Sequence, residues 1–195
     1  MTGRRLKKDY RLPTPALPKL RLIIFSITFI ALLNSCAPEA PQGKGTLEVK
    51  IKDHRAAIDD FTRLDIAIDA IRVKPSGSWI EAKPDVASID LTAYRKGNSI
   101  TVYKSELEAG AFEGFHLKLG EIAGVLKKNQ SRVEPKNSVG PIQLSFSVDP
   151  GKVTLLVVDL KVLDLSDHAG RDYELHINGY EHFRDGKLID RVPPA

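Results

Sequence analysis

The side chains able to act as nucleophile, base or metal ligand are few and widely spread. Cys36 is the one cysteine, and the five histidines are His54, His116, His168, His176 and His182. A lone cysteine excludes an intrachain disulfide framework and a multi-thiolate zinc site. No histidine stands in a His-Glu-x-x-His or tight His-x-His spacing, so a metal site would need convergence in space that the spacing does not encode. His116 and His176 sit beside Leu117 and Leu175 on polar phases, which places them on a solvated sheet face. Asp164, Asp167 and Asp172 surround Ser166 and His168 in a loop whose acids are spaced loosely like a calcium site. It lacks the ordered acids and closing glutamate of an EF-hand loop, and a solvated hairpin loop is the expectation.

Other motifs of chemistry are missing parts. Gly151-Lys152 is no phosphate loop, since Phe146 stands where the first glycine belongs and Val153 precedes Thr154. No Gly-x-Ser-x-Gly elbow exists for an acyl-enzyme. Asp59 and Asp60 are adjacent and would face opposite ways in a strand, a poor acid/base pair whose plain role is capping or turn formation. Trp79 is the one tryptophan, and it and the scattered tyrosines are expected to pack rather than stack on sugar. The expectation is a domain without catalytic site, metal or cofactor, whose function lies in its loops: residues 96–99 with Asn98, residues 129–139, and residues 165–171 with Asp167 and His168, beside Asp164.

The elements that must carry these loops begin after an unusual N-terminus. The first 21 residues hold seven basic groups against Asp9, and residues 22–33 (LIIFSITFIALL) are apolar except for Ser26 and Thr28. As a helix at ~1.5 Å per residue those twelve residues span roughly 18 Å against about 30 Å of hydrocarbon, too short to cross. A basic stretch, a short apolar stretch and a small residue before a cut site are the parts of a secretory signal. Leu33, Asn34, Ser35 and Cys36 resemble a bacterial lipobox. That resemblance implies a signal helix over residues 1–35, diacylglycerol on the Cys36 sulfur, cleavage between Ser35 and Cys36, and acylation of the new amino group. From Cys36 onward 22 bases face 24 acids, a net of −2, so the clustered cations that nucleic-acid binding needs are missing.

Residues 37–45 (APEAPQGKG) have little to bury and read as a tether. From Thr46 the dominant period is two. Leu47, Val49 and Ile51 alternate with Glu48, Lys50 and Lys52; Leu64, Ile66 and Ile68 with Asp65, Ala67 and Asp69; and Ile142, Leu144, Phe146 and Val148 with Gln143, Ser145 and Ser147. Further strands are expected at 78–82, 86–91, 100–103, 111–119, 153–162, 173–177 and 179–184. Ile71 and Val73 are out of phase with Ile66 and Ile68, which suggests a bulge near Ala70. Asn178-Gly179 and Asp185-Gly186 are hairpin signals. Helix is credible only as a turn at 56–61 or over 121–128.

Laid out in this way, the domain resembles the DUF4382 family of bacterial envelope lipoproteins. The residues that carry the resemblance are the opening Gly45-Thr-Leu-Glu-Val-Lys-Ile-Lys-Asp53, Ile58-Asp-Asp-Phe61, Ile71-Arg-Val73, the Trp79 strand, Ile89-Asp-Leu91, Leu107-Glu-Ala-Gly110 and Val153-Thr-Leu-Leu-Val-Val-Asp159. It covers residues 45–178, and residues 179–192 extend past it. The resemblance implies an all-β sandwich, transthyretin-like in outline, and no known activity.

The sequence therefore leads to an all-β protein: a signal over 1–35, lipidated Cys36 and tether over 36–45, and an antiparallel β-sandwich, Greek-key or transthyretin-like, over 46–195. Expected is a lipid-anchored envelope module that binds or supports a protein or glycan and no nucleic acid. It meets the membrane through the acyl chains on Cys36. Ala37 favours the outer membrane, since the sorting rule for such lipoproteins retains aspartate at that position in the inner one. The rival is a hydrolase or metal-dependent enzyme built from the histidines and loop aspartates.

Overall fold

Alternating side chains force a choice of face on each strand, and here the apolar choice closes two sheets on each other. A computed structural model of the protein describes residues 42–54, 56–167 and 172–192; the lipobox residues Leu33, Asn34, Ser35 and Cys36, and His168, lie outside them. The strands are β1 (Lys44–Asp53), β2 (Phe61–Pro75), β3 (Ile80–Ala82), β4 (Ser88–Asp90), β5 (Ser99–Glu108) and β6 (Gly110–Leu126). They continue with β7 (Arg132–Val133), β8 (Lys136–Asn137), β9 (Phe146–Val148), β10 (Val153–Asp164), β11 (Tyr173–Arg184) and β12 (Lys187–Val192). Two single-turn 3-10 helices, Ala57–Asp60 and Leu91–Tyr94, complete the described elements.

One sheet runs β12-β11-β10-β1-β5 with β8 beside β11, and the other β3-β2-β6-β7 with β4 on β2 and β9 on β6. Pairing is antiparallel except where β1 meets β10 and β8 meets β11, which run parallel. The inner faces meet in one core: Leu47, Val49 and Ile51 of β1, Leu64, Ile66 and Ile71 of β2, and Leu156, Val158 and Leu160 of β10 are all shut off from solvent. Burying such side chains is the main driving term, worth about 1.5–3 kcal/mol each before the cost of ordering the chain.

The bulge near Ala70 is present. Register shifts on both sides of Ile68, and Ala70 and Ile71 are buried in succession. The turn at 56–61 is the 3-10 helix Ala57–Asp60. Residues 121–128 are not helical: β6 runs on to Leu126, with Ile122 opposite Ile66 and Gly124 opposite Leu64, because a long partner strand supplies their ladder. Residues 129–139, expected as loop, carry β7 and β8, one joined to each sheet.

The hairpin expected at Asn178-Gly179 is not one. β11 passes straight through it, and the partners step from Asp159↔Gly179 to Leu160↔Ile177, leaving Asn178 as the extra residue of a bulge. Neither residue takes the positive φ of a two-residue turn, and Asn178 Nδ2 instead donates to Asp159 Oδ2 at 3.1 Å. Asp185-Gly186 does turn, with φ of 48° and 76°, and joins β11 to β12.

The strand directions give the sandwich two poles. At the entry pole the chain joins the fold: the Gly43 carbonyl accepts from Ala109 N–H and the Lys44 carbonyl from Gly151 N–H, both at 2.8 Å. The β2–β3, β5–β6, β9–β10 and β11–β12 turns lie there too. The opposite pole, one ten-residue β1 away or about 33 Å at ~3.3 Å per residue, carries both 3-10 helices, the β6–β7 turn and the β10–β11 connection.

Candidate functional site

At the loop pole the Ala57–Asp60 turn is pinned from below by Ile58, which is fully buried, so Asp59 and Asp60 face outward. Asp59 receives Arg95 Nη1 at 2.8 Å, and its carbonyl accepts from Lys127 Nζ at 2.7 Å. Asp60 accepts the Tyr173 hydroxyl at 3.3 Å, and the Tyr173 ring stands edge-on to Phe61 with centroids 4.8 Å apart. The second 3-10 turn is fixed by Asp90, whose Oδ1 accepts from Thr92 N–H, the Thr92 hydroxyl and Leu64 N–H. Two short turns are thereby tied to β2, β6 and β11 at one end of the molecule.

Two clefts open around Asp59. The larger, about 700 Å³, lies between the Ala57–Asp60 turn, the β6–β7 turn and the ends of β10 and β11, and is lined by Asp60, Lys128, Asn129, Asp164, Asp172 and Tyr173 among others. The smaller, about 550 Å³, is lined by Asp59, Thr92, Ala93, Arg95, Lys96 and Asn98. The larger is within the size range of small-ligand sites. Burial, then the carboxylates of Asp60 and Asp164, push the Tyr173 hydroxyl up to about 12. It stays protonated and serves as a donor, not a base. Asp164 is held below the usual carboxylate range by the Ser166 N–H and hydroxyl and stays charged. Fixed charges and a fixed donor suit recognition more than proton transfer.

Of the residues expected from sequence, Asn98 lines the smaller cleft and Asp164 the larger, while Asp167 is exposed in the turn after β10 and lines neither. All three expected loops border this pole, since residues 96–98, residues 129–133 and the flanks of 168–171 meet around Asp59. Asp59, Arg95, Lys127 and Tyr173 went unrecognised as a group. Asp59 and Asp60 take different partners, as their adjacency implied, but nothing in spacing ties them to Arg95 or Tyr173.

The described histidines separate. His54 Nδ1 is 3.2 Å from Asp159 Oδ2, in a shallow cleft of about 210 Å³ with Lys52, Tyr180 and Arg191. His176 Nε2 lies 2.9 Å from Glu174. His116 stands edge-on to Trp79, and burial, then Arg72, lower its pKa. His182 is 2% exposed: the extra residue at Asn178 inverts the phase of β11 and turns Tyr180 and His182 inward, His182 against Phe146. Among the described residues no group of three or more His, Cys, Asp or Glu is placed to hold a metal ion. Trp79 is partly buried, with the Arg72 guanidinium 5.4 Å over its ring and Gly114 beneath it, which is packing.

A family model described as "Domain of unknown function (DUF4382)" matches residues 44–175. No curated protein and no solved structure matches the chain.

Proposed function

From the premise that the chain belongs to the DUF4382 family, we propose that it is an exported envelope lipoprotein, anchored through Cys36, whose sandwich is a non-enzymatic binding module for a protein or glycan. The observation that carries this reading is the separation of the poles. The chain joins the fold at one end, and the three loop regions with their clefts gather at the other. An anchor upstream of Gln42 would leave the clefts pointing away from the membrane. Two acyl chains, at about 0.8 kcal/mol per buried methylene, give stable anchoring. Ala37 after Cys36 favours the outer membrane.

The test is intact mass of the mature protein with and without globomycin, which blocks the lipoprotein peptidase. A mature form starting at an acylated Cys36, lost on globomycin treatment and in Cys36→Ala, is the expected result. An unchanged lipidated form in Cys36→Ala would refute it. A second reading, a hydrolase, draws support from His54, whose Nδ1 meets Asp159 Oδ2 while Asn178 Nδ2 donates to that same oxygen, as a held carboxylate would orient a base. The neighbouring Tyr180 hydroxyl already donates to Asp190 at 3.2 Å. An activity abolished by His54→Gln would favour that reading.

A further inference from the structure

Large apolar side chains left in water are informative when they cluster. Among the described residues five stand out: Ile80 at 50% exposure, Ile189 at 48%, Val192 at 42%, Leu188 at 41% and Val153 at 37%. Four of them belong to the entry pole. Ile80 opens β3, which pairs with β2 just before Pro75; Val153 opens β10; Leu188 and Ile189 follow the β11–β12 turn. Ile80 also borders a mostly apolar groove of about 380 Å³ with Val73, Leu107 and Phe112, beside Lys44 where the chain enters. The groove lies at the β5 end of the sandwich, and along the first sheet β12 is four strands and β10 two strands from β5, so at ~4.8 Å per strand Leu188 and Ile189 stand about 19 Å from it and Val153 about 10 Å.

We propose that the entry pole is a membrane-docking surface, with Ile80 on one side, Leu188 and Ile189 on the other and Val153 between them, seated in the interface of the bilayer that holds the Cys36 lipid. The inference rests on the anchor reading. Cys36 is eight residues before Lys44, a reach of at most about 27 Å at ~3.4 Å per residue, and the pole that the tether reaches first is the one that carries the apolar side chains. Docking there fixes an orientation that a loose tether would not, and holds the loop pole facing outward.

Charge says what kind of membrane contact this is. Among the described residues, four cations of this pole are matched within the molecule, Lys44 with Glu108 at 3.8 Å, Lys152 with Asp185 at 3.4 Å, Arg184 with Asp149 at 3.5 Å and Arg72 with Glu81 at 3.4 Å, and two lysines, Lys74 and Lys187, are not. Two separate lysines fall short of the cluster that an anionic-lipid site needs, so the contact is chiefly apolar and depends little on lipid charge. Addition of a protein strand to β12 is the competing use of the same residues. It is disfavoured by the register shift opposite His182 and Phe183 and by Lys187, Asp190 and Arg191 along the strand, devices that blunt an edge.

The experiment uses the full lipidated protein reconstituted in phosphatidylcholine vesicles. Trp79, the one tryptophan and the neighbour of Ile80, is the reporter. Its emission is expected to shift to the blue and to lose most of its intensity to lipids carrying a nitroxide near the headgroup, little changed by phosphatidylglycerol or by high salt. Ile80→Asp and Leu188→Asp, both at exposed positions and checked for fold by circular dichroism, should lose that quenching while still floating with the vesicles. An acylated, floating protein whose Trp79 is not quenched, or is quenched only with anionic lipid, overturns docking and leaves the anchor standing. Protection of β12 amides by a protein partner with Trp79 unquenched would do the same. A mature protein without acyl mass that does not float takes down both readings.

Discussion

Gly124 faces Phe61 so closely that a methyl group there should be felt at the candidate site. A Cβ on Gly124 would stand 2.5 Å from Phe61 Cε1, 2.7 Å from its Cδ1 and 3.2 Å from Leu64 Cδ1, against ordinary carbon contacts of about 3.5–4.0 Å. The ring would have to move by about 1 Å, yet Phe61 is fully buried and already in edge-on contact with Tyr173. Overpacking of this kind costs about 1–3 kcal/mol. Replacing a strand glycine returns about 0.5–1 kcal/mol through backbone entropy. The clash wins, and Gly124→Ala should destabilise by about 1–2 kcal/mol, roughly a five- to thirty-fold shift in the folding equilibrium. Urea unfolding followed by Trp79 emission measures it. In a Phe61→Leu background the ring is gone and the Gly124→Ala penalty should shrink by about 1 kcal/mol, a coupling typical of touching side chains. A variant as stable as the parent, or a penalty unchanged in the Phe61→Leu background, would refute the argument.

Three further outcomes follow from the same structure. His182 is buried with Nε2 unpartnered, and burial and Arg184 lower its pKa from 6.5; the unfolded chain takes up a proton that the folded chain refuses. Stability is therefore complete above pH 6.5 and falls as pH drops from there through the lower folded value, and urea midpoints in His182→Phe should lose part of that slope; an equal slope in both proteins would count against it. Tyr173→Phe should remove a tyrosine titrating at about 12 from the alkaline absorbance titration, while costing no more than about 1 kcal/mol because the lost hydrogen bond to Asp60 is exposed. Gly186→Ala meets nothing within 4 Å but sits at φ 76°, so the cost is conformational, about 1–2 kcal/mol by thermal melting.

What could be read in the sequence was whatever one strand decides for itself. The phase change between Ile68 and Ile71 is local, and it became the bulge at Ala70 because a strand with one inner face must insert a residue to change phase. Asp185-Gly186 turned because both residues tolerate positive φ and the chain had no partner to continue against. Asn178-Gly179 carries the same signal and did not turn, because β10 on the other side offers Asp159 to its amide; that partner is remote in sequence and decides the outcome. The parallel pairing of β1 with β10 is of the same kind, since Val49 meets Leu156 and Ile51 meets Val158 only after the second sheet has been laid between them in the chain. His182 follows from the bulge, so one misread dipeptide hid a buried imidazole.

The loop pole was half legible for that reason. Each loop could be named from its own residues, but their meeting depends on the even count of passages across the sandwich between them. β5, β6, β10 and β11 alternate direction so that residues 91–98, the β6–β7 turn and the β10–β11 connection fall at one end, while Lys44, the Ala109-Gly110 turn and the Asp185-Gly186 turn fall at the other. Arg95, Lys127 and Tyr173 then converge on a four-residue turn that no spacing rule connects them to. Polarity of the whole molecule is thus a property of strand direction and not of any motif. Reversing the strand-end charges at the entry pole should leave the clefts untouched. With the proposed Cys36 anchor, joining the tether at the loop pole by circular permutation should bury them against the membrane, even with every cleft residue kept.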